Sequence, residues 1–298
     1  MDDTGAAREV RRRYGVPDGI RLRVDAREVL AWVPGHEMSV REVAAHPDDL
    51  PPSDRLGGRA AMRRLDAPGT GAPLLVREYR KGGLLRHVRG RRMRGRWRPL
   101  DELVLHRRLL ATGVPVPQAL GCVVLRGTVG WRGFLLLGEV PEAVDLEVLL
   151  HGAAAPVGVD VRREVLVAAG RAVRALHDAG VPHPDLHAKN LLLAPDGAVL
   201  VLDLDKARPA PAGLSDRRRL RDLVRLGRAL EKHRLKGIHA GGREALRFLQ
   251  GYAGSTRAAR LWLDRIRGRL SRTLGLRRIW WRLIGEARPW RPPTMGRA

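Results

Sequence analysis

Residues 183–208 constrain the rest of the chain. They read H-P-D-L-H-A-K-N-L-L-L-A-P-D-G-A-V-L-V-L-D-L-D-K-A-R. Two short apolar runs, 191–193 and 199–202, flank Pro195-Asp196-Gly197, and turn residues between apolar runs predict a β-hairpin. Asp185 and Asn190 stand just before the hairpin and Asp203 just after it. Folding back would bring two carboxylates and one amide to the same end of a two-stranded unit. That trio suits Mg²⁺ held on a nucleotide, with a spare carboxylate to take a proton from a hydroxyl.

The competing reading is a hairpin whose polar ends are merely solvated. Against it stands the order of loop, hairpin and second aspartate, which resembles the catalytic core of protein-kinase-like phosphotransferases, H-x-D-x-x-x-x-N followed by D-F-G. His183, Asp185 and Asn190 match the loop, and Asp203 in Asp203-Leu204-Asp205 matches the second aspartate, 18 residues after Asp185. The resemblance implies ATP and Mg²⁺ as cofactors, Asp185 as the catalytic base, and Asn190 and Asp203 as metal ligands. His187 stands where protein kinases carry a Lys that touches the γ-phosphate. Kinases of small molecules often have His there, which points away from a peptide acceptor.

The bulk numbers bound the setting. A chain of 298 residues suits one two-lobed domain or two small ones. The lone cysteine, Cys122, excludes an internal disulfide framework and reads as an inert thiol in a strand. The acidic start carries no apolar signal region, and no apolar run approaches the ~20 residues needed to span a bilayer. A cytoplasmic protein is expected. The net charge of +24 invites a nucleic-acid partner. We discount it, because the basic residues are overwhelmingly Arg in a chain rich in Ala, Gly and Pro, as coding bias would also give. The charge does predict attraction to anionic surfaces, a membrane among them.

Along the chain, residues 20–24 and 29–33 alternate like strands, and no chemistry is assigned to residues 1–50. The pair Gly57-Gly58, between a loop and a strand near residues 61–65, is placed where a kinase-like N-lobe covers ATP phosphates with backbone N–H groups. The next strand, 74–79, carries Arg77 where kinases place a phosphate-binding Lys; Lys81 is the alternative for that contact. Seven arginines between 86 and 98 read as a solvated loop or a clamp for anionic groups on the substrate. Residues 100–111 have helical spacing. Glu102 in the first turn takes the place of the kinase-like glutamate that orients the strand's cation, here Arg77. Glu139-Val140-Pro141 reads as a hinge whose backbone binds adenine. The stripe Val161, Val165, Leu166, Ala169, Val173 and Leu176 predicts a long helix, capped by Gly180. A further helix is expected over 216–233. The Arg- and Trp-rich segment 257–291 reads either as an interfacial membrane helix or as a helix packing its aromatics inside.

The segment Arg77-Glu78-Tyr79-Arg80-Lys81-Gly82-Gly83, the connector Gly113-Val114-Pro115-Val116-Pro117 and Asp203-Leu204-Asp205-Lys206-Ala207-Arg208 together resemble the lipopolysaccharide kinase family, over roughly residues 55–235. The resemblance implies an α+β, two-lobed protein-kinase-like fold, with a small antiparallel-sheet N-lobe and a mainly helical C-lobe. The expected division is an extension at 1–54, an N-lobe at 55–140, a C-lobe at 141–253 and a basic tail at 254–298. It implies phosphorylation of an inner-core sugar hydroxyl by MgATP at the cytoplasmic face of the inner membrane. The implied acceptor is a lipid-linked anionic glycan, for one branch of the family the 4-hydroxyl of 3-deoxy-D-manno-octulosonic acid (Kdo) on a lipid A precursor. Pro184 stands where relatives commonly have Gly.

Overall fold

Alternating apolar residues dominate the first half of the chain and helical stripes the second. The computed structural model, which describes residues 5–53, 62–69, 71–79, 93, 95–151, 159–234 and 241–283, resolves them into two compact units. Among the described residues, one unit takes those in 5–110 and 117–139, and the other takes Ala111–Val116 and those in 140–283.

The first unit is a six-stranded antiparallel sheet. Its strands are β1 (Arg21–Val24), β2 (Glu28–Trp32), β3 (Met62–Asp66), β4 (Pro73–Glu78), β5 (Ala119–Arg126) and β6 (Trp131–Gly138), in the order β1-β2-β5-β6-β4-β3. Three helices accompany it, α1 (Gly5–Tyr14), α2 (Glu37–Ala45) and α3 (Arg98–Ala111). Successive strand residues point to opposite faces. Leu75, Cys122, Val124 and Leu135 pack with Val10 of α1 and Leu100, Leu103 and Val104 of α3. Leu74, Val76, Val123 and Phe134 pack on the other side with Val40 and Val43 of α2. Apolar cover on both faces explains why β5 and β6 read as near-continuous apolar runs. Cys122 is buried at the centre, where desolvation pushes its thiol pKa up and makes it inert. Residues 1–50, which showed only strands in their pattern, also supply α1 and α2. The apolar anchors of α1 are just Ala7 and Val10 among arginines, too sparse a stripe to read.

The second unit is mostly helical. A small sheet, β7-β8-β9, is made of β7 (Val144–Asp145), β8 (Leu191–Leu193) and β9 (Val199–Val201). Its helices are α4 (Leu146–Leu150), α5 (Val159–Asp178), α6 (Asp216–Arg234), α7 (Gly242–Ala253) and α8 (Thr256–Leu283). The β8–β9 hairpin pairs Leu191 with Val201 and Leu193 with Val199. Its turn uses Gly197 at φ 84°, while Asp196 Oδ1 accepts the Ala198 N–H at 3.0 Å. The α5 stripe is buried from Val165 to Leu176, but Val161, expected at its head, is 50% exposed. In the Trp/Arg-rich segment, Ile266 is buried and Trp262 meets Tyr252 edge-on at 5.5 Å, so the described part of α8 packs inward. Among the described residues no helix is long and apolar enough to cross a membrane.

Helices α5 and α7 meet backbone to backbone. A Cβ on Gly170 would lie 2.0 Å from the Phe248 carbonyl oxygen, and one on Gly251 2.0 Å from that of Val167. Neither obstacle can turn aside, so Gly251→Ala must push the helices apart. We expect it to cost about 3 kcal/mol or more in urea unfolding. Gly268→Ala in α8, where a Cβ meets nothing within 4 Å, should be neutral or stabilising by up to ~1 kcal/mol. Equal effects of the two substitutions would contradict the close-approach account.

Candidate active site

The loop before the hairpin is tied down by one buried histidine. His183 is fully buried, and burial pushes its pKa down. Its Nε2 lies 2.9 Å from the Leu202 carbonyl oxygen, which can only accept, so this nitrogen carries the proton. Nδ1 is then bare and accepts the Asp185 N–H at 3.3 Å. The neutral imidazole therefore joins the backbone of Asp185 to the residue preceding Asp203. The Leu202 N–H, in turn, donates to the Asn190 carbonyl at 2.9 Å. The hairpin thus brings its two polar ends together through three hydrogen bonds.

Pro184 fits this loop without strain on the hydrogen bonding. Leu186 N–H donates to His183 O at 3.2 Å, closing a turn in which Pro184 is the second residue. That is a position where a fixed φ is favourable and no N–H is needed. The N–H of His183 itself donates to Asp222 Oδ2 of α6 at 2.8 Å. Asp222 is fully buried, and His177 Nε2 of α5 approaches the same oxygen at 3.6 Å. His177 Nδ1 is paired with the Tyr252 hydroxyl at 2.8 Å.

The Asp185 carboxylate is partly open to solvent, 42% exposed, with His187 Nε2 at 3.7 Å from its Oδ2. Asn190, in a short 3₁₀ turn, is 8% exposed and donates from Nδ2 to the Asp185 carbonyl at 2.9 Å. With Nδ2 so engaged, Oδ1 is the amide atom suited to a cation. Asp203 is exposed and takes φ 58°, the left-handed region that non-glycine residues seldom enter. A hard oxygen donor on Asn190 and a carboxylate on Asp203 fit Mg²⁺, which takes one or two protein ligands and leaves the rest to phosphates and water. Among the described residues no group of three or more His, Cys, Asp or Glu is placed to hold a metal by itself.

In the first unit, Arg77 and Tyr79 share one face of β4 and its exit, two residues apart. Arg77 Nη2 lies 2.5 Å from Glu102 Oε2, the glutamate one turn into α3. The Tyr79 hydroxyl donates to the same oxygen and accepts from Arg77 Nη2 at 3.3 Å. His106, four residues on in α3, places Nε2 3.7 Å from Glu102 Oε1 and bonds through Nδ1 with the Pro117 carbonyl at 2.9 Å. Burial alone would raise the Glu102 pKa, but the Arg77 guanidinium, helped by His106, holds it down to about 2. The strand's other face carries Glu78, buried and paired with Arg132 at 3.0 Å.

Glu139 and Val140 follow β6. The Glu139 N–H already donates to Pro73 O at 3.1 Å, and its side chain lies 3.7 Å from Arg64. Gly57, Gly58 and Lys81 lie outside the described residues, as does most of the arginine segment 86–98. Sequence reasoning expected Glu102 to pair with Arg77, as it does, and did not single out Asp222, Tyr79 or His106. Asp222 left one signal, a carboxylate beside Leu223 and Val224 on the inward side of an otherwise Arg-rich helix.

Residues 55–252 match the model of the lipopolysaccharide kinase (Kdo/WaaP) family, about two thirds of the chain. The chain belongs to this family. It is accordingly an ATP-dependent phosphotransferase of the lipopolysaccharide core, acting on a sugar hydroxyl. Among its relatives is the 3-deoxy-D-manno-octulosonic acid kinase of Xanthomonas oryzae, 34% identical over 201 residues, 65% of this chain and 74% of that one. The enzyme of the same name from Photobacterium profundum is 31% identical over 189 residues, 62% and 76% of the two chains. That of Vibrio cholerae is 29% identical over 199 residues, 62% and 81% of the two chains. A solved structure described as WaaP in complex with acyl carrier protein aligns with TM-score 0.45 and 24% identity, covering 78% of this chain and 88% of that one.

The Glu102 environment makes a pH prediction. Its folded pKa of about 2 lies below the ordinary value of 4.5, so folding favours the ionised form. The stabilisation is complete above about pH 4.5 and is lost as pH falls toward 2. Glu102→Gln should lower stability at pH 7 by about 1–3 kcal/mol and flatten this acid limb of the stability curve. An acid limb of equal slope in both proteins would contradict the assignment.

Proposed function

We propose that the chain phosphorylates Kdo attached to a lipid A precursor, at the 4-hydroxyl, at the cytoplasmic face of the inner membrane. What carries the proposal is the loop–hairpin arrangement of Asp185, Asn190 and Asp203 in a chain whose named relatives are Kdo kinases. Asp185 is the base. It takes the proton of the acceptor hydroxyl as that oxygen bonds to the γ-phosphorus and the bond from phosphorus to the ADP oxygen breaks. Asn190 Oδ1 and Asp203 hold Mg²⁺, which supplies charge neutralisation on the phosphates. Arg77, oriented by Glu102, binds the α/β-phosphates as a rigid fork where other kinases use a point charge. Lys81 and the backbone at Gly57 and Gly58 belong to the same phosphate-binding assignment. The backbone around Glu139 and Val140 receives adenine; since the Glu139 N–H is engaged by Pro73, its carbonyl is the group for that contact.

The substrate is itself rich in phosphate and carboxylate, which accords with a net charge of +24. The same charge favours peripheral residence on an anionic membrane surface, where a lipid-linked acceptor is found.

Transfer of labelled γ-phosphate from MgATP to Kdo–lipid A precursor, with the product position read by ³¹P–¹H NMR, tests the reading. Label on O4 of Kdo is expected, and label confined to heptose-bearing acceptors would overturn the acceptor assignment. Asp203→Ala should abolish Mg²⁺-dependent ATP binding measured by calorimetry. Undiminished MgATP affinity in that variant would remove Asp203 from the metal site.

A further inference from the structure

Tyr79 is 3% exposed and sits where the chain leaves β4, with its N–H still in the sheet through Gly133 O at 2.8 Å. A tyrosine packed in a core ordinarily needs a partner for its hydroxyl and no more. Here the partner is the carboxylate that also holds the strand's cation. The hydroxyl donates to Glu102 Oε2 and accepts from Arg77 Nη2, so the three side chains close a ring of hydrogen bonds. The Tyr79 ring lies beneath two guanidiniums, that of Arg77 at 5.0 Å and that of Arg98, the first residue of α3, at 5.2 Å. Tyr79 therefore touches the cation, its counter-ion and the start of the helix that carries the counter-ion.

The chemistry of arginine makes this matter. A lysine ammonium is a point charge that needs placing but not orienting. A guanidinium is planar and delivers its donors in a fixed fork, so its plane decides which ligand oxygens it meets. The Tyr79 hydroxyl on Nη2 and the tyrosine ring against the guanidinium both restrain that plane.

We propose that Tyr79 is a positioning residue for nucleotide binding, its hydroxyl and ring fixing the plane of the Arg77 guanidinium that meets the ATP phosphates. The inference rests on the assignment of Arg77 to those phosphates. It explains why a strand with arginine at this place is followed two residues later by a tyrosine on the same face.

The test is steady-state kinetics of Arg77→Ala, Tyr79→Phe, Arg77→Lys and the Arg77→Lys/Tyr79→Phe double variant. Phenylalanine keeps the ring between Arg77 and Arg98 and removes only the hydroxyl. Tyr79→Phe is expected to raise KM for ATP about tenfold, with KM for the sugar acceptor unchanged. In the Arg77→Lys background the same substitution should change KM for ATP by less than about twofold, since an ammonium has no plane to fix. An equal effect in both backgrounds, or a fall in stability without a change in KM, would show a merely structural tyrosine and overturn the proposal. If Arg77→Ala raises KM for ATP and Tyr79→Phe does not, the positioning role alone fails. If Arg77→Ala leaves KM for ATP unchanged, the phosphate assignment fails and the positioning role goes with it.

Discussion

The buried carboxylate of Asp222 accepts the His183 N–H at 2.8 Å, and the rest of the second unit's site depends on that contact. A fully buried carboxylate is tolerable only when donors surround it. Its contacts here are the His183 N–H at 2.8 Å, His177 Nε2 of α5 at 3.6 Å and Arg221 Nε at 3.7 Å. His183 then distributes the anchorage, through Nδ1 to Asp185 and through Nε2 to the residue before Asp203. A loop held in this way needs no motion to bring Asp185, Asn190 and Asp203 to one end of the hairpin. Phosphoryl transfer asks a protein chiefly for such positioning.

The first unit solves a different problem with the same physics. Arg77 is a cation placed where only 11% of its side chain is exposed, and Glu102 is its buried counter-ion. The pair stays ionised because the Arg77 guanidinium lies against the carboxylate, whose Oε2 also accepts the Tyr79 hydroxyl, with His106 nearby. Their positions follow from strand and helix geometry. Residues two apart on β4 share a face, and residues four apart on α3 share a stripe. Leu75 and Tyr79 from the strand and Leu103 from the helix pack in one cluster around the pair. Apolar packing thus dries the site in which the ion pair is strong.

Much of this was legible in the sequence, and the reasons are local. Pro195-Asp196-Gly197 between apolar runs specifies its own hairpin, and the hairpin fixes which polar residues meet. Strand and helix patterns placed Arg77 and Glu102, and the kinase-like resemblance implied that they pair. Asp222 was not, because a carboxylate on a helix with five nearby arginines looks like surface until the helix is seen packed. The close approach of α5 and α7 at Gly170 and Gly251 was hidden for a related reason. It joins two helices 81 positions apart by backbone approach, and neither glycine stands in a motif. Val161 shows the opposite failure: an apolar residue in phase with a buried stripe, left exposed where the helix begins.

The proposed reaction depends most on Asp185 as the group that receives the acceptor's proton. The direct measurement is kcat for Asp185→Ala on Kdo–lipid A precursor, beside the affinity of the same variant for MgATP. Turnover should fall by about 10²–10⁴, with MgATP affinity within about twofold of the parent, since the base is not needed to bind the nucleotide. Undiminished turnover would contradict the central claim, and loss of MgATP affinity in step with turnover would reassign Asp185 to the metal.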